Sequence, residues 1–217
     1  MKRKIHCFCD NSFEVEVPEE IDLDKEKKYF DEILSGSFFS FNCTSCGKNL
    51  KPEFPVSILW PSADLRFEVF PELDRGEFYR KKKKTAEKEK HPAETIIGYP
   101  ELSDRVALIR DGFEPVAVEA IKYFLQLKAE EQYPDDEPQI WYYTSHKSNP
   151  AKGDEGSLEF HIHGIKDNEV AVMKVPLSFY QKTYDDYKKN PRKEIFSILR
   201  VGTYLSVKNT MRHEALK

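Results

Sequence analysis

The chain has 217 residues, with 34 Lys plus Arg against 38 Asp plus Glu, a formal net charge of −4 and a pI near 5.9. That balance argues against a globally basic nucleic-acid binder, whose domain pI usually exceeds ~9. With 15 Phe, 11 Tyr and 2 Trp the chain carries the large apolar rings that disordered chains lack, although charged residues at 33% and hydrophobic residues at 39% imply a modest core. No apolar run approaches the ~20 residues of a membrane span. The opening Met1-Lys2-Arg3-Lys4-Ile5-His6-Cys7 has no apolar segment of a secretion signal, so the expected compartment is the cytoplasm. At ~100–200 residues per domain, this is one large domain or two small ones.

In chain order, the first cysteine pair, Cys7-Phe8-Cys9, leads into Phe13-Glu14-Val15-Glu16-Val17, whose apolar–acidic alternation predicts a half-buried strand. Asp22 or Asp24 is a candidate N-cap for a helix marked by Tyr29, Phe30, Ile33 and Leu34 and closed at Gly36. Phe38 to Phe41 reads as a strand running into the second pair, Cys43-Thr44-Ser45-Cys46-Gly47. Strands are expected over Pro55–Trp60 and Leu65–Phe70, with Leu65, Phe67 and Val69 on one face. Residues 1–76 therefore read as a zinc-ribbon-like β unit with a helix inserted between its knuckles. The basic run Arg80–Lys90 reads as a solvated linker, and Asp111-Gly112-Phe113-Glu114-Pro115 starts a helix to about Gln132. Val116, Ala120, Ile121, Phe124 and Leu127 should form its apolar face. Residues 77–134 are thus linker plus helix. Residues 135–217 read as an α+β region: strands over 139–144, 158–165 and 169–175, a hairpin loop at Lys166-Asp167-Asn168, a helix carrying Leu177, Tyr180, Tyr184 and Tyr187 and ending at Asn190-Pro191, and an apolar segment around Ile195, Phe196, Ile198 and Leu199. The fold class is α+β.

All four cysteines fall in the first 46 residues as two close pairs. In a chain without a secretion signal this reads as a metal site before it reads as disulfides. Zn²⁺ takes four thiolates tetrahedrally at about 2.3 Å. Cys-x-x-Cys-Gly folds tightly enough for both sulfurs to meet one ion, with Gly47 supplying the φ > 0 turn that leads the chain away. Cys7-Phe8-Cys9 closes a smaller chelate ring, and His6 to Cys9 also has ligand spacing. The four-cysteine set Cys7, Cys9, Cys43 and Cys46 is favoured because thiolate is the softer ligand, with His6, Cys9, Cys43 and Cys46 as the alternative. A thioredoxin-like redox pair at Cys43/Cys46 would need a βαβ context that the Phe-rich flanks do not supply. Four protein ligands leave no position for water, so such a zinc organises a fold and does no hydrolysis.

Over about residues 5–130 the sequence resembles the CpXC family of bacterial and archaeal proteins, named for two Cys-Pro-x-Cys motifs. Cys43-Thr44-Ser45-Cys46-Gly47 looks like the second motif, and Glu32-Ile33-Leu34-Ser35-Gly36-Ser37-Phe38-Phe39 like the segment before it. Leu65 to Pro71 resembles the strand after it, and Asp111-Gly112-Phe113 running into Val118-Glu119-Ala120-Ile121-Lys122 is similar to a later helix. Both motifs here lack proline, and the first is Cys-x-Cys. The resemblance implies zinc ligation by Cys7, Cys9, Cys43 and Cys46 and brings no catalytic residues.

One other constellation carries chemistry. In Glu159-Phe160-His161-Ile162-His163, residues two apart share a strand face, so Glu159, His161 and His163 should project together with Leu158, Phe160 and Ile162 facing the core. His-x-His can chelate a catalytic zinc if a third ligand joins it; otherwise this is an ordinary solvated sheet face. No Gly-x-Ser-x-Gly elbow or phosphate-cradling glycine loop is present. The adjacent carboxylates Asp135-Asp136-Glu137 and Asp185-Asp186 read as solvated surface. Two functions follow from these residues: a non-enzymatic zinc-binding adaptor whose partner is another protein, nucleic acid being less favoured, or a metal-dependent hydrolase using the Glu159/His161/His163 face.

Overall fold

In the computed structural model the described residues are 1–81, 93–148, 155–165 and 169–210. The chain divides into two compact units, Met1–Ser103 and Asp104–Lys217. The loop at 166–168 and the basic run beyond Lys81 lie outside the described residues. The class is α+β.

The first unit begins with a hairpin of β1 (Lys2–His6) and β2 (Ser12–Glu16), whose register pairs Ile5 with Phe13 and His6 with Ser12. β3 (Glu20–Asp22) follows, then α1 (Lys27–Leu34). Neither Asp22 nor Asp24 caps α1: Asp22 ends β3, and its Oδ1 accepts from the N–H groups of Asp24 (3.1 Å) and Lys25 (3.3 Å) in the intervening turn. The expected strand from Phe38 to Phe41 is mostly a turn, with Phe39 at φ 48 and only Phe41–Asn42 extended as β4. The rings explain it. Phe38 and Phe39 stack at 4.1 Å, both buried, and meet Tyr99 edge-on at 4.9 and 6.0 Å. An extended chain would send successive rings to opposite faces.

β4 pairs with β5 (Asn49–Leu50), and β6 (Val56–Trp60) and β7 (Leu65–Phe70) form the expected antiparallel pair. Sequence reading missed α2 (Arg75–Lys81), β8 (Glu94–Ile97) and α3 (Tyr99–Arg110), the last crossing from the first unit into the second. Within the first unit the strand order is β8-β7-β6-β3, with parallel pairing at both ends and antiparallel pairing in the middle. Ile21, Ile58, Phe67, Val69, Ile96 and Ile97 are buried in it.

In the second unit α4 (Pro115–Gln132) matches the expected helix. Val116, Ala120 and Ile121 of the expected apolar face are buried, but its C-terminal part is not. Phe124 and Leu127 are 42% and 40% exposed, whereas Glu119, Lys122 and Gln126 are buried. The buried charges are paired. Lys122 Nζ donates to Asp104 Oδ2 at 2.5 Å and to Glu119 Oε1 at 2.9 Å, and Arg105 lies 3.6 Å from Glu119. Burial pushes the Asp104 carboxyl up against the pull of Lys122. Its two oxygens accept from Lys122 and from the Tyr142 N–H, which suits the ionised form. The group also ties down other elements: Glu119 Oε2 accepts from the Val207 N–H and Arg105 donates to the Leu205 carbonyl.

A three-stranded antiparallel sheet follows, in the order β11-β10-β9, from β9 (Gln139–His146), β10 (Ser157–His163) and β11 (Ala171–Pro176). Leu158, Phe160 and Ile162 face the core as expected. α5 (Leu177–Lys189) ends at Asn190, with Tyr180 buried and its hydroxyl accepting from the Glu114 N–H. α6 (Glu194–Ile198) and a small hairpin of β12 (Arg200–Val201) and β13 (Tyr204–Leu205) complete the unit. There Phe196, Leu199 and Leu205 pack with Val116 and Ala120.

Candidate metal centre

Two tight loops bring the cysteines together. Beyond β1, the Cys7 N–H donates to the Asn11 carbonyl and the Asp10 N–H to the Cys7 carbonyl, with Asp10 at φ 64. Beyond β4, the Cys43 N–H donates to the Lys48 carbonyl and the Gly47 N–H to the Cys43 carbonyl, with Gly47 at φ 72. That left-handed turn lets Cys43 and Cys46 face one point, and a residue with a Cβ adopts it only at a cost. Asn11 joins the two loops, its Nδ2 donating to Thr44 Oγ1 at 3.0 Å and approaching Cys43 Sγ at 3.6 Å.

The four sulfurs all lie within 4.8 Å of one another. Cys7 Sγ is 3.6 Å from Cys46 Sγ, and Cys9 Sγ is 3.7 Å from Cys43 Sγ. Four thiolates about 2.3 Å from a tetrahedral ion stand about 3.8 Å apart, so the donor set fits such an ion. Beneath it Cys7 and Cys43 are buried with Ile5 and Leu50, flanked by Phe13, Val15, Phe41 and Phe54. Phe39 connects this layer to the aromatic cluster of the first unit through Phe41 (6.4 Å) and Phe54 (6.3 Å).

The electrostatics also suit a cation. N–H donors from Cys46 and Ser45 lower the Cys43 thiol to about 6. Cys7, although its sulfur accepts from the Cys9 N–H, is pushed up to about 12 by burial and by the neighbouring thiols. Four thiolates cannot crowd into this space without a compensating charge, which a divalent ion supplies as the thiol protons leave.

His6 stands apart from the cluster. It is exposed, and its Nδ1 is 2.8 Å from Ser12 Oγ. Among the described residues the four cysteines form the only group of three or more close metal-ligating side chains. Glu159, His161 and His163 do not form one. The Glu159 carboxylate is shared between His146 Nε2 (2.8 Å) and His161 Nε2 (3.2 Å), with Lys174 Nζ at 3.6 Å, and the His161 ring stacks on Tyr143 at 3.9 Å. Chiefly through the His146 hydrogen bond, these neighbours hold the Glu159 carboxyl below the usual range. His146 comes from the neighbouring strand β9, where it pairs with Ser157 and so reaches Glu159 diagonally, and no sequence spacing marks that neighbour.

Fold and site together define an α+β protein whose two cysteine knuckles converge on a point able to hold a metal ion. The chain belongs to the CpXC family: the family model described as CpXC protein matches residues 5–122, more than half of the chain, and includes all four cysteines. A protein of Treponema pallidum (strain Nichols), described as "Uncharacterized protein", is 28% identical over 221 residues, covering 95% of this chain and 97% of that relative. No solved structure matches the chain. No helix among the described residues is long and apolar enough to cross a membrane.

Proposed function

We propose that this chain is a zinc-binding, non-enzymatic adaptor of the cytoplasm, in which Cys7, Cys9, Cys43 and Cys46 hold one structural zinc and the protein acts by binding another protein. The observation that carries this is the convergence of four thiols within 4.8 Å of one another. A complete set of four protein ligands leaves no open position for water or substrate, so the ion would organise the two knuckles. Sulfur-only donors favour zinc over harder divalent ions. A protein partner is supported by an apolar ridge of the second unit, where Phe124 and Leu127 of α4 and Phe179 of α5 are each about two-fifths exposed, with the two Phe rings 6.3 Å apart. Exposed apolar residues grouped in this way mark contact surfaces.

The test is metal content together with partner capture. One zinc per chain is expected, lost in Cys43→Ser. Phe124→Ser and Leu127→Ser should keep the zinc and lose the captured partner. A second, exchangeable metal with hydrolytic turnover abolished by His161→Ala would overturn the adaptor reading.

A further inference from the structure

The cysteine cluster is arranged as two exposed–buried pairs. Cys9 and Cys46, one from each knuckle, are exposed, whereas Cys7 and Cys43 are buried. Each exposed sulfur lies against the buried cysteine of the opposite knuckle: Cys46 against Cys7 at 3.6 Å and Cys9 against Cys43 at 3.7 Å. We propose that the cluster is an oxidative modification site for hydroperoxides, at which Cys9 and Cys46 are attacked, Cys43 and Cys7 resolve them, and the metal is released. This rests on the zinc reading above.

The chemistry balances for each pair. The thiolate of Cys46 attacks one peroxide oxygen and the O–O bond breaks. Sulfenic acid forms and hydroxide leaves. The Cys7 thiolate then attacks that sulfur, the S–S bond forms and a second hydroxide leaves. Two thiolates have lost two electrons and one peroxide has gained them; Cys9 and Cys43 do the same with a second peroxide. Four ligands become two disulfides, and a neutral disulfide no longer holds a divalent ion. Susceptibility on this ladder follows thiolate character together with exposure, and thiol exchange depends on which sulfur can be reached.

The pairing sets the outcome for the fold. Cys7–Cys46 and Cys9–Cys43 links both join the β1–β2 knuckle to the β4–β5 knuckle, bridging 39 and 34 positions of sequence. Metal would leave while the knuckles stayed together, as removal by chelator would not allow. A Cys43–Cys46 link would constrain only the second knuckle and leave the first free.

The experiment uses the full-length zinc-loaded protein. Zinc is first counted, hydrogen peroxide is then titrated in, released zinc is followed with a chromogenic chelator, and products are mapped by non-reducing peptide mass spectrometry with a sulfenic-acid trap. The expected result is one zinc released per two peroxides, trap adducts on Cys9 and Cys46, and links Cys7–Cys46 and Cys9–Cys43. Thiol reductant should then restore zinc uptake. Absence of zinc before oxidant would sink the zinc reading itself. Zinc that is present but retained at stoichiometric peroxide, trap adducts on Cys7 or Cys43, or a dominant Cys43–Cys46 link would overturn this inference alone.

Discussion

Lys122→Met is the substitution that most sharply probes the packing of the second unit. It removes the cation that touches both Asp104 and Glu119 and replaces it with an apolar chain of similar length. All four charged side chains of the group are buried, at 3–5% exposure. The group goes from two cations and two carboxylates to one cation, Arg105, which lies against Glu119. Breaking a buried pair by removing one partner costs about 3–5 kcal/mol, because the remaining charge stays uncompensated. Against a domain stability of about 5–15 kcal/mol this is a large fraction. The sign of the pH dependence follows. Burial already raises the Asp104 carboxyl, and without Lys122 the Tyr142 N–H is left to oppose that rise. A raised carboxyl contributes stability at low pH that is lost as pH climbs through its folded pKa. The deficit of the variant should therefore be smaller at about pH 5.5 than at about pH 7.5. The assay is available within the chain, since its two tryptophans, Trp60 and Trp141, fall one in each unit. In a Trp60→Phe background, urea unfolding followed by Trp141 fluorescence reports on the second unit, next to the Tyr142 N–H that donates to Asp104. A loss below about 1 kcal/mol, or an equal loss at both pH values, would refute the reasoning.

Gly156→Ala should destabilise the second unit by about 2–4 kcal/mol in the same assay. Its φ is +81, and an added Cβ would sit 2.7 Å from the His146 carbonyl oxygen and 2.7 Å from Leu177 Cδ1. His6→Ala should leave bound zinc unchanged by elemental analysis while Cys7→Ser lowers it, since His6 bonds Ser12 and stands outside the cluster; the opposite result would establish the His6 site. By NMR titration the Glu159 carboxyl should ionise below an ordinary glutamate and move up in His146→Ala, the partner that lowers it most. Hydrogen exchange with chelator should lose protection at the β1–β2 and β4–β5 knuckles and retain it in β9, β10 and α5, because every cysteine lies in the first unit.

How far the sequence carries depends on which side chains face inward. β10 could be read because its alternation is strict and its polar residues all point out. The gathering of the four cysteines could be read in residue type and spacing, and the place of His6 outside that group needed three dimensions. α3 escaped because Glu101, Asp104 and Arg105 are buried in it, so charge fills positions where apolar periodicity is sought. The same pairing widened the buried face of α4: Val116, Ala120 and Ile121 are buried as expected, buried Glu119 and Lys122 answer charges on α3, and Phe124 and Leu127 are exposed. Phe38-Phe39-Ser40-Phe41 has the composition of a strand, but two stacked rings require a turn. β12 and β13, at two residues each, are too short for any alternation to register.

Cobalt substitution tests the central claim most directly. Co²⁺ added to metal-free protein should bind in one equivalent, give the intense thiolate-to-metal and d–d absorption of a tetrahedral sulfur site, and be displaced by one equivalent of Zn²⁺. Each of Cys7→Ser, Cys9→Ser, Cys43→Ser and Cys46→Ser should weaken that spectrum, and His6→Ala should not. Weak octahedral absorption, no binding, or an unchanged spectrum in any of the four serine variants would contradict a four-cysteine centre.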